Sequence, residues 1–145
     1  MDAVNIHQVF DWLWTSGQLS EPDVRHLPEL GIQVVMNLAL PSSPDALPAE
    51  GELVTGLGLA YVQIPVEWEH PLPEQFFQFV GVLKAFAGCK IWLHCAMNMR
   101  VSAFVYLFRK LVLGEGEEDA TFPMREIWVP NETWQEYIDQ VCALS

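Results

Sequence analysis

The chain reads as an α/β domain: a central, mainly parallel sheet of four to five strands with helices on both faces. Three observations predict it. Strand-type and helix-type segments alternate along the chain, which calls for parallel strands joined by helical crossovers. The 145 residues are 51% hydrophobic, enough to bury a full core in one domain spanning 1–145. No internal repeat and no composition break marks a second unit.

Residues 12–16 form a first strand that stops at Gly17. Ser20-Glu21-Pro22-Asp23 then opens a helix, with Ser as N-cap, an early Pro and an acid three residues on. Leu27, Leu30 and Gly31 close it, shortened by Pro28. Ile32–Leu40 is a buried second strand. Pro41–Pro48 is a Pro- and Ser-rich loop, followed by a short helix over Glu50–Leu57 and a strand over Leu59–Ile64. Pro65 ends that strand, and Val66–Pro71 is a loop. Pro73-Glu74 starts a helix whose Phe76, Phe79, Val80, Leu83 and Ala87 keep helical spacing up to Gly88. A strand over 90–94 leads into a loop at Cys95. Val101–Leu113 is apolar on nearly every side and reads as a central buried helix. Glu115–Asp119 is a solvated acidic turn that starts a short helix. Asn131 caps the last helix, which carries Trp134, Tyr137, Ile138 and Val141 at core spacing.

Charge narrows the function. Seven Lys and Arg against nineteen Asp and Glu give a net charge of −12. That balance argues against nucleic acid and against an anionic membrane surface. It leaves room for a small anionic substrate, because one Arg and a set of oriented amides make a local positive well. Cys89, Cys95 and Cys142 follow no disulfide or zinc spacing. No cofactor or metal is expected, no signal peptide or membrane span is visible, and a reducing cytoplasm is the default. Oligomeric state is not legible.

The chemistry concentrates in Lys90-Ile-Trp-Leu-His-Cys-Ala-Met-Asn-Met-Arg-Val-Ser102. A thiol at the end of a strand, before a loop and a helix N-terminus, sits where amide donors and the helix dipole favour an oxyanion and a thiolate. Arg100 is the nearby cation. His94 is read as a neutral imidazole bonded to adjacent backbone, tuning the loop. Cys89 and Cys142 are read as structural thiols. Trp12, Trp14, Trp92, Trp128 and Trp134 are read as packing residues.

Together, Thr15-Ser16-Gly17-Gln18, the strand Gly31–Leu38, Tyr61-Val62-Gln63-Ile64-Pro65-Val66 and His94-Cys95 with a nearby Ser resemble the protein tyrosine/dual-specificity phosphatase superfamily, especially its small bacterial phosphatase-like branch. The resemblance implies that fold and a Cys95 nucleophile that accepts a phosphoryl group. It implies oxyanion binding by Arg100 and the loop Ala96, Met97, Asn98, Met99 and Val101. Ser102 would assist turnover of the thiolate, and an acid on the 66–70 loop, Glu67 or Glu69, would protonate the leaving oxygen. Trp68 would wall the cleft.

The superfamily places five residues between Cys and Arg; here there are four. Aligned without a gap, Ser102 matches the hydroxyl residue and Val101 occupies the Arg position. With one residue deleted, Arg100 is the family Arg. The four-residue spacing is also similar to rhodanese-type sulfurtransferases, in which the Cys carries a persulfide. A non-catalytic oxyanion or phosphopeptide binder is the third reading.

Overall fold

The computed structural model describes residues 1–145. Its sheet has five strands in the order β1-β2-β5-β3-β4: β1 His7–Phe10, β2 Leu13–Ser16, β3 Val34–Asn37, β4 Ala60–Gln63 and β5 Ile91–His94. All neighbours are parallel except β1, which returns antiparallel along β2 at the edge. The sequence reading did not contain β1. Its four residues mix polar and apolar types and are only partly buried, so they carry no strong periodic signal.

Seven helices cover the sheet: α1 Glu21–His26, α2 Glu50–Gly56, α3 Pro73–Ala85, α4 Met99–Leu107, α5 Glu117–Ala120, α6 Met124–Ile127 and α7 Glu132–Leu144. Strand periodicity divides the core in two. Val34 and Met36 of β3, with Ile91 and Leu93 of β5, point to the large cluster built on α3, α4 and α7. Val35 and Trp92 point the other way, onto Leu19, Val24, Leu27 and Val54 beneath α1 and α2. Both faces of the interior strands are thus buried, as a parallel sheet requires.

Local chemistry sets the ends. The Ser20 hydroxyl accepts from Asp23 N (3.2 Å) while the Asp23 carboxylate accepts from Ser20 N (3.1 Å), a reciprocal cap on α1. Pro28 removes a donor, and the chain tightens into a 3-10 turn over Leu27–Leu30. It closes at Gly31, whose φ of 80° a side chain would resist. The Asn131 carboxamide accepts from Trp134 N at 2.9 Å to start α7.

The central helix begins two residues earlier than its apolar run, at Met99, and is regular only to Leu107; Phe108–Val112 widens into a π turn. The short α6 carries no clear pattern in the sequence. No helix is long and apolar enough to cross a membrane.

Candidate active site

Strands β2, β3 and β5 end side by side, with Ser16 and Asn37 both opposite His94. Cys95 leaves the sheet at this edge. The peptide from Ala96 to Asn98 then turns into α4, with Asn98 as its N-cap at φ 66°. None of the backbone N–H groups of residues 96–101 donates to a protein acceptor; the first that does is Ser102 N, onto Asn98 O at 3.0 Å. Six amides therefore surround the start of a nine-residue helix. Orphan donors and dipole together favour an anion there.

The loop is braced from the N-terminal side. Gln18 N donates to Ala96 O (2.9 Å), Asn5 Nδ2 to Met97 O (2.9 Å), and Asn98 Nδ2 to Asn5 O (2.7 Å) and Thr15 Oγ1 (3.0 Å). Gly17 lies against it: a Cβ there would sit 2.6 Å from Ala96 O and 2.8 Å from a Val4 methyl. Only a residue without a side chain lets the β2 end and the thiol loop approach this closely.

Cys95 is 1% exposed, yet it lines a cleft of about 230 Å3 with Trp68, Ala96, Met97, Met99 and Arg100. Arg100 is buried, and its guanidinium donates to Val66 O at 2.9 Å. That bond anchors the cation between α4 and the 66–72 loop while leaving its other N–H groups free. Val101, by contrast, is fully buried in the core. Of the two alignments, the loop shortened by one residue is the one that brings a cation to the thiol.

Other expected site residues lie elsewhere. Glu67 and Glu69 are exposed and line no part of this cleft; Glu69 borders a separate recess with His70, Leu72, Thr133 and Tyr137. Trp68, between them, is the loop residue that reaches the thiol. It packs against Trp128 and Trp134 at a tilt of 34°, with centroids 5.4 and 5.7 Å away, and Trp134 Nε1 donates to its carbonyl at 2.9 Å. Tyr137 OH fixes the far end of the loop through Leu72 O, also at 2.9 Å. The loop is thus tied to α7 in the orientation that turns the tryptophan inward.

Ser102 does not line the cleft either. Its hydroxyl donates to Met99 O (2.7 Å) and accepts from Trp128 Nε1 (2.9 Å). One turn inside α4, it joins the helix to the tryptophan cluster instead of facing the sulfur.

His94 differs most from expectation. Nδ1 meets Cys95 O (3.1 Å), a backbone partner as anticipated, but Nε2 meets Glu50 Oε2 at 2.7 Å in a fully buried pair. The other Glu50 oxygen accepts from Gln18 Nε2 at 2.8 Å. Burial alone would raise the Glu50 carboxyl, but the bonds from His94 and Gln18 and the His94 charge outweigh it and hold it below its ordinary value. Sequence reasoning missed Glu50, Gln18, Asn5 and Gly17 as parts of this site. Only Gly17 and Gln18, within the quoted family segment, carried a local signal.

A mainly parallel five-stranded sheet with a cysteine and an arginine at a helix N-terminus on its carboxyl edge defines the class: the fold is that of the protein tyrosine phosphatases. The phosphatase-like DUF442 protein of Shewanella putrefaciens CN-32 is 33% identical to this chain, covering 99% of it and 94% of that chain, with a TM-score of 0.87. This chain belongs to that DUF442 family. Tk-PTP in its active form (15% identity, 94% of this chain and 95% of that one, TM-score 0.79) has the same fold. So does TpbA of P. aeruginosa in complex with phosphotyrosine (14%, 94% and 82%, 0.70). No protein-family model matches the chain, and no curated protein matches it.

Proposed function

We propose that the protein hydrolyses phosphate monoesters through a covalent intermediate on Cys95. The observation that carries this reading is the shared cleft: one thiol and one anchored guanidinium beside six amides that donate to nothing in the protein. The Cys95 thiolate attacks phosphorus, forming S–P while the P–O bond to the leaving group breaks. Arg100 and the amides of 96–101 hold the equatorial oxygens, where charge spreads in the transition state. Water then hydrolyses S–P, releasing inorganic phosphate and restoring the thiolate.

Glu67 is the better candidate for the acid. It follows Val66, whose carbonyl Arg100 grips, and its carboxylate has no ion-pair partner to release. Reaching the leaving oxygen requires its side chain to swing inward past Trp68. Glu69 faces the other recess.

The test is hydrolysis of p-nitrophenyl phosphate by the parent and by single variants. Cys95→Ser is expected to fall to the buffer rate, and Arg100→Lys by about 10²–10³ in kcat/KM, the scale of one lost charge-stabilising contact. Turnover by Cys95→Ser equal to the parent's sinks the proposal. Phosphate binding with no turnover on any ester would leave a binding module.

A second reading has its own support. Only four residues separate Cys95 from Arg100, and no carboxylate lines the cleft. Both suit a sulfur carrier, whose smaller cargo needs a smaller cradle. Cys95 would attack the sulfane sulfur of thiosulfate, forming S–S as sulfite leaves, then pass that sulfur to an acceptor thiolate. After thiosulfate, intact mass should then rise by one sulfur on Cys95; an unchanged mass across sulfur donors removes this alternative.

A further inference from the structure

Glu50 lies outside the thiol cleft and touches none of the atoms that would react. It is 5% exposed, in the first turn of α2, beside a polar recess shared with Asn37, Tyr61 and Gln63. A carboxylate in that setting costs stability unless it is fully bonded. Here both oxygens are: Oε1 accepts from Gln18 and Oε2 meets His94.

The hydrogen-bond pattern determines the state of the imidazole. Cys95 O can only accept, so His94 Nδ1 carries a hydrogen. Nε2 faces a carboxylate oxygen 2.7 Å away, and an ionised carboxylate also only accepts. With Glu50 ionised, both ring nitrogens face groups that only accept, an arrangement that an imidazolium satisfies and a neutral ring does not. The groups around the pair add no competing charge. Ser16 and Asn37 flank His94 on the neighbouring strands, Tyr61 of β4 is a phenol kept protonated by burial, and Glu52 on α2 is exposed to solvent.

We propose that Glu50 is a positioning residue for the thiol: it holds His94 as the imidazolium and, through that ring, fixes the Cys95 carbonyl and keeps a positive charge on the residue that precedes the cysteine. The role requires Cys95 to be the reactive group, but it is the same whether the electrophile is phosphorus or sulfur. A carboxylate on a separate helix, 44 residues upstream, thereby sets how readily the thiolate forms.

The experiment reads the thiol directly. In a Cys89→Ser/Cys142→Ser background, the rate of Cys95 alkylation by iodoacetamide is followed against pH by intact mass for the parent, Glu50→Gln and Glu50→Asp. The expected result is that Glu50→Gln moves the midpoint up by about one pH unit, slowing alkylation by roughly tenfold at pH values below the parent's midpoint. Glu50→Asp should recover most of it. A midpoint that stays or moves down in folded Glu50→Gln overturns the proposal.

Nitrogen-15 NMR of the parent decides the matter independently, including the case in which Glu50→Gln does not fold. Two protonated ring nitrogens on His94 at neutral pH support the proposal, and a neutral ring overturns it. A shifted alkylation midpoint without phosphate-ester turnover would retire the phosphatase reading and leave the Glu50 role standing. Turnover with an unmoved midpoint would do the reverse.

Discussion

At the residue scale, each polar side chain near Cys95 is distinguished by the partner it has. Arg100 keeps N–H groups free for a substrate, whereas both hydrogen-bonding roles of Ser102 are occupied by Met99 O and Trp128. Ser102→Ala leaves the Trp128 N–H without its acceptor. It should cost about 1–3 kcal/mol in urea unfolding while changing alkylation of Cys95 little. A large loss of thiol reactivity at unchanged stability would show that the hydroxyl does reach the sulfur. Gly17→Ala places a methyl group into Ala96 O and should lower stability by about 1–3 kcal/mol and slow Cys95 chemistry together, because the clash lies against the loop itself.

Residue-level legibility was uneven for a physical reason. Cys95 and Arg100 stand out because strand, loop and helix start are contiguous in sequence. Glu50 reaches His94 across 44 residues and meets it only once α2 docks against β4. No spacing rule finds such a pair. Glu67, Trp68 and Glu69 show the converse: the loop was legible, but which of three adjacent side chains turns inward is decided by packing against Trp128, just past α6, and Trp134 of α7.

At the scale of elements, the proposed function makes the 66–72 loop the piece on which substrate recognition turns. Trp134 and Tyr137 of α7 hold its carbonyls, and the stack of Trp68, Trp128 and Trp134 presents one indole to the cleft. Met97 and Met99 line the cleft with it, so the lining is apolar apart from the thiol and the cation of Arg100. Trp68→Ala should therefore raise KM for an aryl phosphate by several-fold more than for a small alkyl phosphate. Equal effects on both would remove the indole from recognition.

Capping explains why these elements begin where they do. Asn131→Ala removes the acceptor of Trp134 N and should cost about 1 kcal/mol in chemical denaturation, loosening the helix that anchors the loop. These caps were readable from the sequence, as were β2 to β5 and the helices between them. The edge strand β1 and the short α6 were not, because a few half-buried residues give no period to count.

For the whole molecule, the sheet places the candidate site at the carboxyl ends of β2, β3 and β5, and the core on either face holds those ends in register. The Glu50–His94 pair couples this arrangement to pH. The Glu50 carboxyl is held below its ordinary value in the folded state, so the stability it contributes is present above the unfolded value, near pH 4.3, and disappears as pH falls through the folded one. Urea unfolding of the parent should therefore weaken on acidification below about pH 4 more steeply than that of Glu50→Gln. Parallel curves would mean that Glu50 titrates as it does in the unfolded chain.

The overall charge of −12 gives no general attraction for polyanions, so the proposed recognition of an anion rests on one short loop. That makes the covalent step at Cys95 the claim on which the account stands. Its most direct measurement is rapid acid quench of the parent turning over p-nitrophenyl phosphate, followed by intact mass and peptide mapping. The account predicts a single phosphoryl group on the peptide bearing Cys95, absent from Cys95→Ser, with nitrophenol released alongside it. Hydrolysis that proceeds in Cys95→Ser as in the parent, with no phosphoryl group on that peptide, would contradict it.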